Sequence, residues 1–446
     1  MDIDSLYALY LRHPVITTDS RQCPGGSLFF ALKGANFDGN KFAADALRKG
    51  CAYAVVDEPH CVVRGDSRYI LVNDCLTAFQ LLARHHRRQF HIPLIAITGT
   101  NGKTTTKELV SAVLSTRYNV LHTEGNYNND VGVPKTLFRL APCHQIAVVE
   151  MGASHPGDIR RLALTAEPDY GLITNVGLAH LQGFGSFEGV VKTKGELYDY
   201  LRSRQGSRVF IDTANKWLVD MAGGLSLIRY RVDDGSPRRE EPCVAGRLTG
   251  CSPFLTFSWW TVGDHSDGVH EVSTRLVGSY NIGNMLAAVC VGVHFGIEPA
   301  LINAALASYV PGNDRSQLTR TAFNSLIVDA YNANPTSMAA AIDNFTALSV
   351  SGKMAILGQM AELGDASLKE HEKILARLLQ SDIGAVWLVG PLFREAAARL
   401  ALPSLFRLFS DVGEVKAAIA TERPQGKLIL IKGSNSVRLF ELCPLL

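Results

Sequence analysis

The chain is 446 residues long, with 47% hydrophobic and 19% charged residues, a composition typical of a soluble globular protein. A chain of this length is expected to form about three domains of about 150 residues each. Its formal net charge of +2 argues against a nucleic acid or an acidic membrane as a partner held by bulk electrostatic attraction, while leaving room for one small anionic ligand.

Neither the cysteines nor the amino terminus indicates export. The nine cysteines are scattered without a CxxC spacing, which fits a reducing compartment better than a disulfide framework or a structural zinc site. Residues 1–11 carry acidic side chains where a signal peptide would need a basic segment followed by an apolar one. The apolar run at 285–293 is far shorter than the roughly 20 residues that span a bilayer. We therefore expect a soluble, cytoplasmic protein.

The first part of the chain ends in a basic, helix-compatible stretch at 83–90, which leads into Pro93. Because proline disfavours helix at the residue before it, a domain boundary is expected near residue 90. Short apolar strands then alternate with helical stretches such as 105–114. The strands of this segment are predicted at 94–98, 146–150 and 171–174. This alternation predicts a mostly parallel sheet covered by helices.

Residues 231–275 break this alternation, because they are rich in Gly, Ser, Asp and Arg and hold short strand-like pieces such as 254–260. We expect an antiparallel excursion of the sheet there. The turn-forming cluster PGND at 311–314 marks a second boundary. The alternation then resumes and predicts a separate doubly wound domain over 311–446, with strands at 326–329, 354–357, 386–389 and 428–432.

The segment 97–109, ITGTNGKTTTKEL, predicts a strand, a loop that binds phosphate and the start of a helix. Gly99 and Gly102 lack a Cβ atom and so allow backbone N–H groups to approach phosphate oxygens closely. The helix that begins near Lys103 would direct its positive end at the phosphates. In this arrangement Lys103 supplies a positive charge for the β- and γ-phosphates, and Thr104 supplies a hydroxyl for Mg²⁺.

This loop departs from the general pattern GxxxxGK[ST], which would place glycine at position 97, where the chain has Ile97. The loop is therefore a variant that is anchored by Thr98-Gly99 instead. We expect ATP to bind here. A phosphate loop alone does not separate a kinase, a switch GTPase, a motor and a ligase, so the reaction has to be identified from other residues.

Four downstream residues are candidates for the chemistry. Glu150 ends the apolar strand IAVVE, and a carboxylate at the carboxyl end of a parallel strand lies in the crevice where α/β folds bind ligands. It is a candidate Mg²⁺ ligand, although a residue in this place also fits a cap of the following helix. His180, Lys192 and Lys194 follow, and on their own they fit a structural histidine and a solvated helix face as well as a catalytic role.

The motifs GTNGKTTT at 99–106 and VVEMG at 148–152, with His180 followed by Lys194, resemble the Mur ligase family. The resemblance extends over essentially the whole chain. Further motifs that carry it are TTDSRQCPGGSLFFALKG (17–34), TEGNYNNDVGVP (123–134), GSYNIGNMLAA (278–288), DAYNANPTSM (329–338), GQMAELG (358–364) and KGS (432–434). DAYNANP is the sharpest of these, because sister ligases and folylpolyglutamate synthases carry different sequences at that point.

The resemblance implies three α/β domains: a small amino-terminal domain over 1–90 that binds the UDP part of a substrate, a central phosphate-loop domain over 91–310 with a mostly parallel sheet, and a Rossmann-like ligase domain over 311–446. It implies an ATP- and Mg²⁺-dependent amide ligase of peptidoglycan precursor synthesis, which adds D-alanyl-D-alanine to a UDP-N-acetylmuramoyl tripeptide. The reaction would pass through an acyl phosphate formed with the γ-phosphoryl group of ATP. The family also implies a monomer.

The resemblance also implies roles for individual residues. The catalytic set would be Lys103, Glu150, His180 and Lys194, with Lys194 carbamylated and Lys192 as the rival for that modification. The magnesium ligands would be Thr104, Glu150, His180 and Lys194. ATP would contact Thr98, Gly99, Thr100, Asn101, Gly102, Lys103, Thr104, Thr105, Asn281, Asn284, Arg315 and Asp329. The other substrates would contact Ser20, Arg21, Lys33, Asn126, Asn129, Asn332 and Lys432.

Two positions depart from the family pattern. Arg315 is matched across an insertion, because the usual PGR is stretched here to PGNDR at 311–315, and Gln359 stands where aspartate is expected. Structural alternatives stay open for two of the implied ATP contacts. Asn281 could cap the helix that follows it, and Asp329 could be a strand-end turn residue.

Three alternative functions remain. A sister ligase that adds the third amino acid, or a polyglutamate synthase, would share the phosphate loop but not DAYNANP. A phosphate-loop switch protein would hydrolyse its nucleotide slowly whether or not a muramoyl peptide is present, and it would give His180 and Lys194 no role. The third residue of the tripeptide, lysine or diaminopimelate, is left open by the sequence.

Overall fold

Three large sheets, each in its own stretch of chain, organise the computed structural model, which describes residues 2–34, 36–235, 243–263, 268–312 and 315–446. The amino-terminal elements are α1 (Ile3–Arg12), β1 (Ile16–Thr17), β2 (Leu28–Phe30), β3 (Lys33–Gly34), β4 (Phe37–Asp38), α2 (Ala43–Arg48), β5 (Tyr53–Val56), β6 (Tyr69–Leu71) and α3 (Cys75–Arg87). A parallel sheet with the order β1-β2-β5-β6 packs on a core that includes Phe29, Phe30 and Phe79. Strands β3 and β4 form a separate antiparallel pair.

The middle of the chain forms a nine-stranded sheet. Its elements are β7 (Leu94–Thr98), α4 (Lys103–Leu114), β8 (Val120–His122), α5 (Gly132–Leu137), β9 (Ile146–Glu150), α6 (Asp158–Ala166), β10 (Tyr170–Ile173), α7 (Leu181–Phe184), α8 (Phe187–Arg202), β11 (Arg208–Asp212), α9 (Lys216–Met221), β12 (Leu227–Val232), β13 (Val244–Cys251), β14 (Phe254–Thr261), β15 (His270–Val277), α10 (Ile282–His294) and α11 (Pro299–Ser308). The strand order is β15-β14-β13-β12-β11-β10-β7-β9-β8.

Most of this sheet is parallel, as the strand–helix alternation predicted. Every residue of β7 and β9 is buried, because helices cover both faces of the sheet at these two strands. The predicted antiparallel excursion is confirmed for β13, β14 and β15, but β13 joins β12 in parallel. Residues 236–242 and 264–267 of that segment lie outside the described residues.

The third sheet lies in the carboxy-terminal part of the chain. Its elements are β16 (Gln317–Arg320), β17 (Ser325–Asp329), α12 (Pro335–Ala347), β18 (Lys353–Gly358), α13 (Ser367–Leu379), β19 (Ala385–Val389), α14 (Pro391–Ala397), β20 (Phe406–Phe409), α15 (Val412–Glu422) and β21 (Leu428–Lys432). The order is β16-β17-β21-β18-β19-β20, with an antiparallel β16–β17 hairpin and parallel pairs beyond it. Ile327 faces one core while Leu326 and Val328 face another, so both sides of the sheet are covered, as in a doubly wound fold.

The functional region lies where two of these sheets end. Thr98 and Glu150 are the last residues of β7 and β9, and Asp329 and Lys432 are the last residues of β17 and β21. Carboxyl ends of parallel strands are where α/β folds bind ligands.

The three sheets and the helices that cover them confirm the predicted three-domain α/β fold. The boundaries near residues 90 and 310 stay predictions, and two residues of the predicted turn at 311–314, Asn313 and Asp314, lie outside the described residues.

In the described ranges of the chain, no helix combines the length and apolar character that a bilayer span requires.

Candidate active site

A cleft of about 600 Å³ lies between the middle and carboxy-terminal domains. The middle domain lines it with residues 100–103 of the phosphate loop, with Glu150 and with His180. Further residues implied by the family resemblance that line the cleft are Thr105, Asn129, Asn281, Asn284, Arg315, Asp329, Asn332 and Lys432. The fold thus brings together side chains that are separated by more than half of the sequence.

The phosphate loop turns sharply because two of its glycines have positive φ. Gly99 has φ 141° and Gly102 has φ 76°, which residues with a side chain rarely adopt. Gly102 precedes α4, and no side chain among the described residues caps that helix, so its first N–H groups can meet an anion. Lys103 Nζ donates to the carbonyls of Gly99 and Thr100, at 2.9 and 3.0 Å. Burial lowers the pKa of Lys103 to about 8, although Glu150 opposes the effect.

Asn101 is held at the centre of the loop by groups from two domains. Its N–H donates to Asn175 Oδ1 at 3.0 Å, and its carbonyl accepts from Thr174 Oγ1 at 2.6 Å. Its Oδ1 accepts from Asn334 Nδ2 at 2.7 Å. Asn334 belongs to the motif DAYNANP and also caps α12 through a capping box. The carboxy-terminal domain therefore contacts the phosphate loop directly.

Replacing Gly99 with alanine is expected to weaken ADP binding at least about tenfold, which is about 1.4 kcal/mol. A Cβ at this position would lie 2.0 Å from Thr174 Oγ1, so the hydroxyl that holds Asn101 would have to move. Isothermal titration calorimetry with ADP measures the change. The matched control is Gly206→Ala, because Gly206 also has positive φ, 79°, but has nothing within 4 Å of the added atom. Equal ADP affinity in both variants would contradict the clash.

Glu150 carries a carboxylate oxygen that lacks a partner. Its side chain is buried, and Oε1 accepts from Asn128 Nδ2 at 2.7 Å. Within the described part of the chain, Oε2 is buried and has no hydrogen-bond partner. A buried, unpartnered carboxylate oxygen costs free energy, which suits an oxygen that meets a cation in the working state. The alternative role is wrong, because α6 begins at Asp158 and Glu150 does not cap it.

Described His, Cys, Asp and Glu side chains form no group of three or more that could hold a metal ion alone. Mg²⁺ that accompanies a nucleotide does not require such a cage, since it takes one or two carboxylates together with water and phosphate oxygens. Thr104, Glu150 and His180 are hydroxyl, carboxylate and imidazole donors. Thr104 is buried in the first turn of α4, directly after Lys103, and is not part of the cleft lining.

His180 lies at the junction of the two domains. It precedes α7 with φ 51°, and its Nδ1 contacts the carboxylate of Glu362 from the carboxy-terminal domain. Burial lowers the pKa of His180, with Lys103 and Lys194 adding to the effect and Glu362 opposing it. The ring of Phe184 packs against the imidazole at a centroid distance of 6.1 Å. A neutral imidazole with one free ring nitrogen is the form that binds a metal ion.

The two rival lysines lie in different surroundings. Lys194, on α8, is 2% exposed, and its Nζ lies 5.6 Å from the centre of the Phe184 ring. Burial, with a contribution from Lys103, lowers the pKa of Lys194 well below its ordinary value of 10.5. Lys192 is exposed and lines a separate groove beside Trp217. This placement favours Lys194 over Lys192 for a role next to His180.

Two asparagines of the motif GSYNIGNMLAA form one hydrogen-bonded chain with α4. Asn281 Nδ2 donates to the carbonyl of Val277 at 2.9 Å, and its Oδ1 accepts from Asn284 Nδ2 at 2.8 Å. Asn284 Oδ1 in turn accepts from Thr106 Oγ1 at 3.0 Å. The side chain of Asn281 makes no capping bond to α10, so the capping alternative is wrong.

The carboxy-terminal wall of the cleft carries an ion pair between a buried lysine and a half-buried aspartate, and a stacked arginine. Lys432 Nζ donates to Asp329 Oδ2 at 2.5 Å and to the carbonyl of Asn332 at 3.3 Å. Asp329 is thus more than a turn residue, because it neutralises a lysine that is 1% exposed. The guanidinium of Arg315 lies 3.9 Å from the ring centre of Tyr331 and also lines the cleft.

Gln359, the departure from the family pattern, has a structural contact. Its Oε1 accepts from the backbone N–H of Leu392 at 3.1 Å, in the first turn of α14. Its side chain also packs against Gly390, which precedes that helix. Gln359 is not part of the cleft lining. The side-chain contacts of Gln359, which stands where aspartate is expected, therefore lie inside the carboxy-terminal domain and outside the cleft.

The cleft does not include every residue implied by the resemblance. Those outside its lining are Ser20, Arg21, Lys33, Thr98, Gly99, Thr104, Asn126 and Lys194. Arg21 and Lys33 lie in the amino-terminal domain, where they pair with Asp19 at 2.8 Å and Glu58 at 2.6 Å. The hydroxyl of Thr98 donates to the carbonyl of Met151 at 2.7 Å and so ties β7 to the end of β9.

Four residues of the site were missed by sequence reasoning: Asn128, Asn175, Asn334 and Glu362. Three of them lie inside motifs that the sequence offered, namely TEGNYNNDVGVP, DAYNANPTSM and GQMAELG. Asn175 follows β10 closely, and the carboxyl end of a parallel strand is itself a signal for a ligand-facing side chain. For the other three, the partner that gives the residue its role is distant in sequence.

Models of the Mur ligase family match the chain in three parts. The one described as Mur ligase family, catalytic domain, matches residues 14–87; Mur ligase middle domain matches 97–292; and Mur ligase, glutamate ligase domain, matches 314–435. The UDP-N-acetylmuramoyl-tripeptide--D-alanyl-D-alanine ligase of Escherichia coli (strain K12) is 34% identical over 434 residues, which cover 96% of this chain and 92% of that protein.

Two solved structures share the whole architecture. A crystal structure of MurF from Acinetobacter baumannii has a TM-score of 0.86 and 29% identity, covering 96% of this chain and 92% of that one. The crystal structure of MurF ligase from Thermotoga maritima in complex with ADP has a TM-score of 0.84 and 25% identity, covering 97% and 96%. Because the three family models and the relative at 34% identity agree along its length, this chain belongs to the Mur ligase family.

Proposed function

We propose that this chain catalyses the ATP-dependent addition of D-alanyl-D-alanine to a UDP-N-acetylmuramoyl tripeptide, a step of peptidoglycan precursor synthesis. The observation that carries the proposal is the cleft, in which a phosphate loop and a buried carboxylate meet residues of the carboxy-terminal domain. The identity of the substrates rests on the similarity to ligases of that name over nearly the full chain.

The chemistry has two steps with a common physical demand. In the first, an oxygen of the substrate carboxylate bonds to the γ-phosphorus of ATP, and the bond from that phosphorus to ADP breaks. In the second, the dipeptide amine attacks the acyl phosphate, and the tetrahedral intermediate releases phosphate and leaves an amide. An anion must therefore approach a polyanion, so positive charge has to be in place beforehand. Lys103 and Arg315 supply it from the two sides of the cleft.

The donors in and next to the cleft suit Mg²⁺, which neutralises phosphate charge when it is bound. Thr104 and Glu150 would hold one ion together with phosphate oxygens, and His180 would hold a second. The unpartnered Oε2 of Glu150 supports this assignment, since that oxygen is buried without a protein donor in the described residues.

Lys194 is proposed to be carbamylated and to face the second ion. An ordinary lysine is neutral in only about one molecule in a few thousand at pH 7. Burial and Lys103 lower the pKa of Lys194 and so enlarge the neutral fraction. The neutral amine can bond to the carbon of CO₂ and lose a proton, which gives an anionic carbamate. Carbamylation would thus convert a buried lysine, whose positive charge Lys103 repels, into an anionic metal ligand.

The remaining substrate contacts are proposed from the family resemblance. The amino-terminal domain would bind the UDP part through Ser20, Arg21 and Lys33. Asn281 and Asn284 would contact the adenine side of ATP, and Asp329 the ribose side. The peptide parts would contact Asn126, Asn129, Asn332 and Lys432. Because the nucleotide and the dipeptide belong to different domains, closure of the cleft would be part of turnover.

The proposal is tested by phosphate release from ATP in the presence of a UDP-muramoyl tripeptide, with and without D-alanyl-D-alanine. We expect strong release only when the dipeptide is added, together with a product whose mass is that of the pentapeptide. Parallel reactions with the lysine and the diaminopimelate tripeptides identify the accepted third residue. Phosphate release that does not depend on either substrate would overturn the ligase proposal and favour the nucleotide switch.

We also propose that the protein acts in the cytoplasm as a monomer. Among the described residues no disulfide joins Cys23, Cys51, Cys61, Cys75, Cys143, Cys243, Cys251 or Cys290, which suits a reducing compartment. Both domains that form the cleft come from one chain, so a second copy is not needed to complete it.

A further inference from the structure

The contact between His180 and Glu362 joins two domains at a residue that the proposed function uses. Glu362 lies in the loop that follows β18, and His180 lies in the segment that follows β10. Besides the side-chain contact, the N–H of Gln182 donates to the carbonyl of Glu362 at 3.1 Å. A Cβ on Gly364 would lie 3.6 Å from the backbone of Gln182, so the two loops also pack closely.

Both residues of the contact have a backbone conformation that residues with a side chain seldom adopt. His180 has φ 51° and Glu362 has φ 63°. Non-glycine residues in this region carry a conformational cost and persist where the surroundings hold them, commonly at functional sites. Two such residues face each other across this domain junction. The arrangement of their side chains is therefore maintained at a cost in conformational free energy.

The contact influences which ring nitrogen of His180 keeps the lone pair that could bind a metal ion. Nδ1 of His180 contacts the Glu362 carboxylate without the alignment of a hydrogen bond in the described residues. An ionised carboxylate can only accept a hydrogen bond and repels a lone pair beside it, so a neutral His180 is favoured to carry its proton on Nδ1. Nε2 then keeps its lone pair. Histidines that bind metals ordinarily donate the other N–H to a carboxylate or carbonyl, which fixes the tautomer and the ring orientation. Phe184 packs against the ring, and the unmodified amines of Lys103 and Lys194 disfavour a positive charge on it.

We propose that Glu362 is a positioning residue, which fixes the Nδ1–H tautomer and the orientation of His180 from the opposite domain. The inference rests on the proposed role of His180 as a metal ligand. It has a consequence for turnover: His180 is ready to bind the ion only while the carboxy-terminal domain is docked. Closure would then complete a metal site in the middle domain as well as bring in the dipeptide.

The test begins with the tautomer in the metal-free protein, which activity does not influence. Two-bond ¹H–¹⁵N spectra of histidine-labelled protein, with His180 assigned by its loss in His180→Ala, should show the Nδ1–H form in the unmutated chain. In Glu362→Ala, His180 should shift toward the Nε2–H form. Glu362→Gln keeps an acceptor oxygen and should restore the original form. Glu395→Ala is the control, because Glu395 is an exposed glutamate on α14 of the same domain.

A double-mutant cycle tests whether Glu362 acts through His180. Glu362→Ala alone should lower kcat by about 10- to 100-fold, the usual effect of removing the partner of a metal-binding histidine. In the His180→Ala background it should cause no further loss. An unchanged tautomer in Glu362→Ala, or the same loss of kcat in both backgrounds, would overturn the inference and make Glu362 a direct contact of substrate or metal. Failure of the ligase proposal is separate, since the unmutated chain would then form no pentapeptide.

Discussion

Replacing Lys194 with alanine is expected to lower the rate of pentapeptide formation by about 10³-fold, the upper range for removing one group that stabilises charge in a transition state. The variant lacks the amine that CO₂ would modify, and therefore lacks the anion proposed to face the second metal ion. Steady-state phosphate release with all substrates present measures the loss. ADP affinity should change little, because Lys194 is not part of the cleft lining.

Chemical rescue separates a carbamate from an ordinary lysine. Formate or acetate should restore part of the activity of Lys194→Ala, because a short carboxylate can enter the space left by the side chain and supply the missing negative charge. The unmutated chain should lose activity in CO₂-depleted buffer and regain it with bicarbonate. The control is Lys192→Ala, which should stay close to the unmutated rate, since Lys192 is exposed.

Three results would contradict the carbamate. Normal turnover of Lys194→Ala without added carboxylates would exclude any essential role of the residue. A loss that no carboxylate restores, with no dependence on CO₂, would indicate that Lys194 acts as a cation. A larger loss in Lys192→Ala than in Lys194→Ala would transfer the role to the rival lysine, despite its exposed position.

The strands and the phosphate loop could be predicted because their determinants are local. LIAIT and IAVVE are short, continuous apolar runs, which is the pattern of strands buried on both faces, and they form β7 and β9 with the predicted bounds. The sharp turn at Gly99 and Gly102 also follows from composition, since only glycine adopts such φ values at little cost. Helix α4 then starts at Lys103, as the loop pattern requires.

The contacts that complete the site could not be predicted in this way. Asn334 reads locally as a helix cap, and it does cap α12, but its amide also reaches Asn101, more than 200 residues away in the sequence. From the local sequence, Glu362 is only one acidic residue in a predicted loop. Its contact with His180 depends on how the two domains dock. The pairing of β12 with β13 in parallel was missed for a related reason, because composition does not determine strand direction.

The second large effect is expected at Lys103. Its Nζ donates to the carbonyls of Gly99 and Thr100, so the amine lies within the loop that is proposed to bind the phosphates. Lys103→Met keeps the length of the side chain but removes the charge. We expect kcat to fall by about 10²- to 10³-fold, as for other groups that stabilise developing charge. Lys216→Met is the control, because Lys216 is an exposed lysine in the same domain.

The pH dependence of nucleotide affinity gives Lys103 a signature of its own. Burial lowers the pKa of Lys103 to about 8 in the free protein, whereas an adjacent phosphate raises it, because the anion favours the charged amine. Below pH 8 the lysine is already protonated, so the ADP affinity should be flat there. Above pH 8 binding must take up a proton, and the affinity should fall by up to about tenfold per pH unit.

Calorimetry between roughly pH 7.5 and 9.5, in buffers of different ionisation enthalpy, measures both the affinity and the proton uptake that should appear above the pKa. Lys103→Met should bind ADP more weakly at neutral pH and lose the decline and the proton uptake together. Lys216→Met should keep both. If the decline persists in Lys103→Met, another group titrates on binding, and the low pKa of Lys103 is not what sets nucleotide affinity at alkaline pH. If ADP affinity declines in neither protein, Lys103 is already charged over this pH range before ADP binds. Binding then takes up no proton at this lysine.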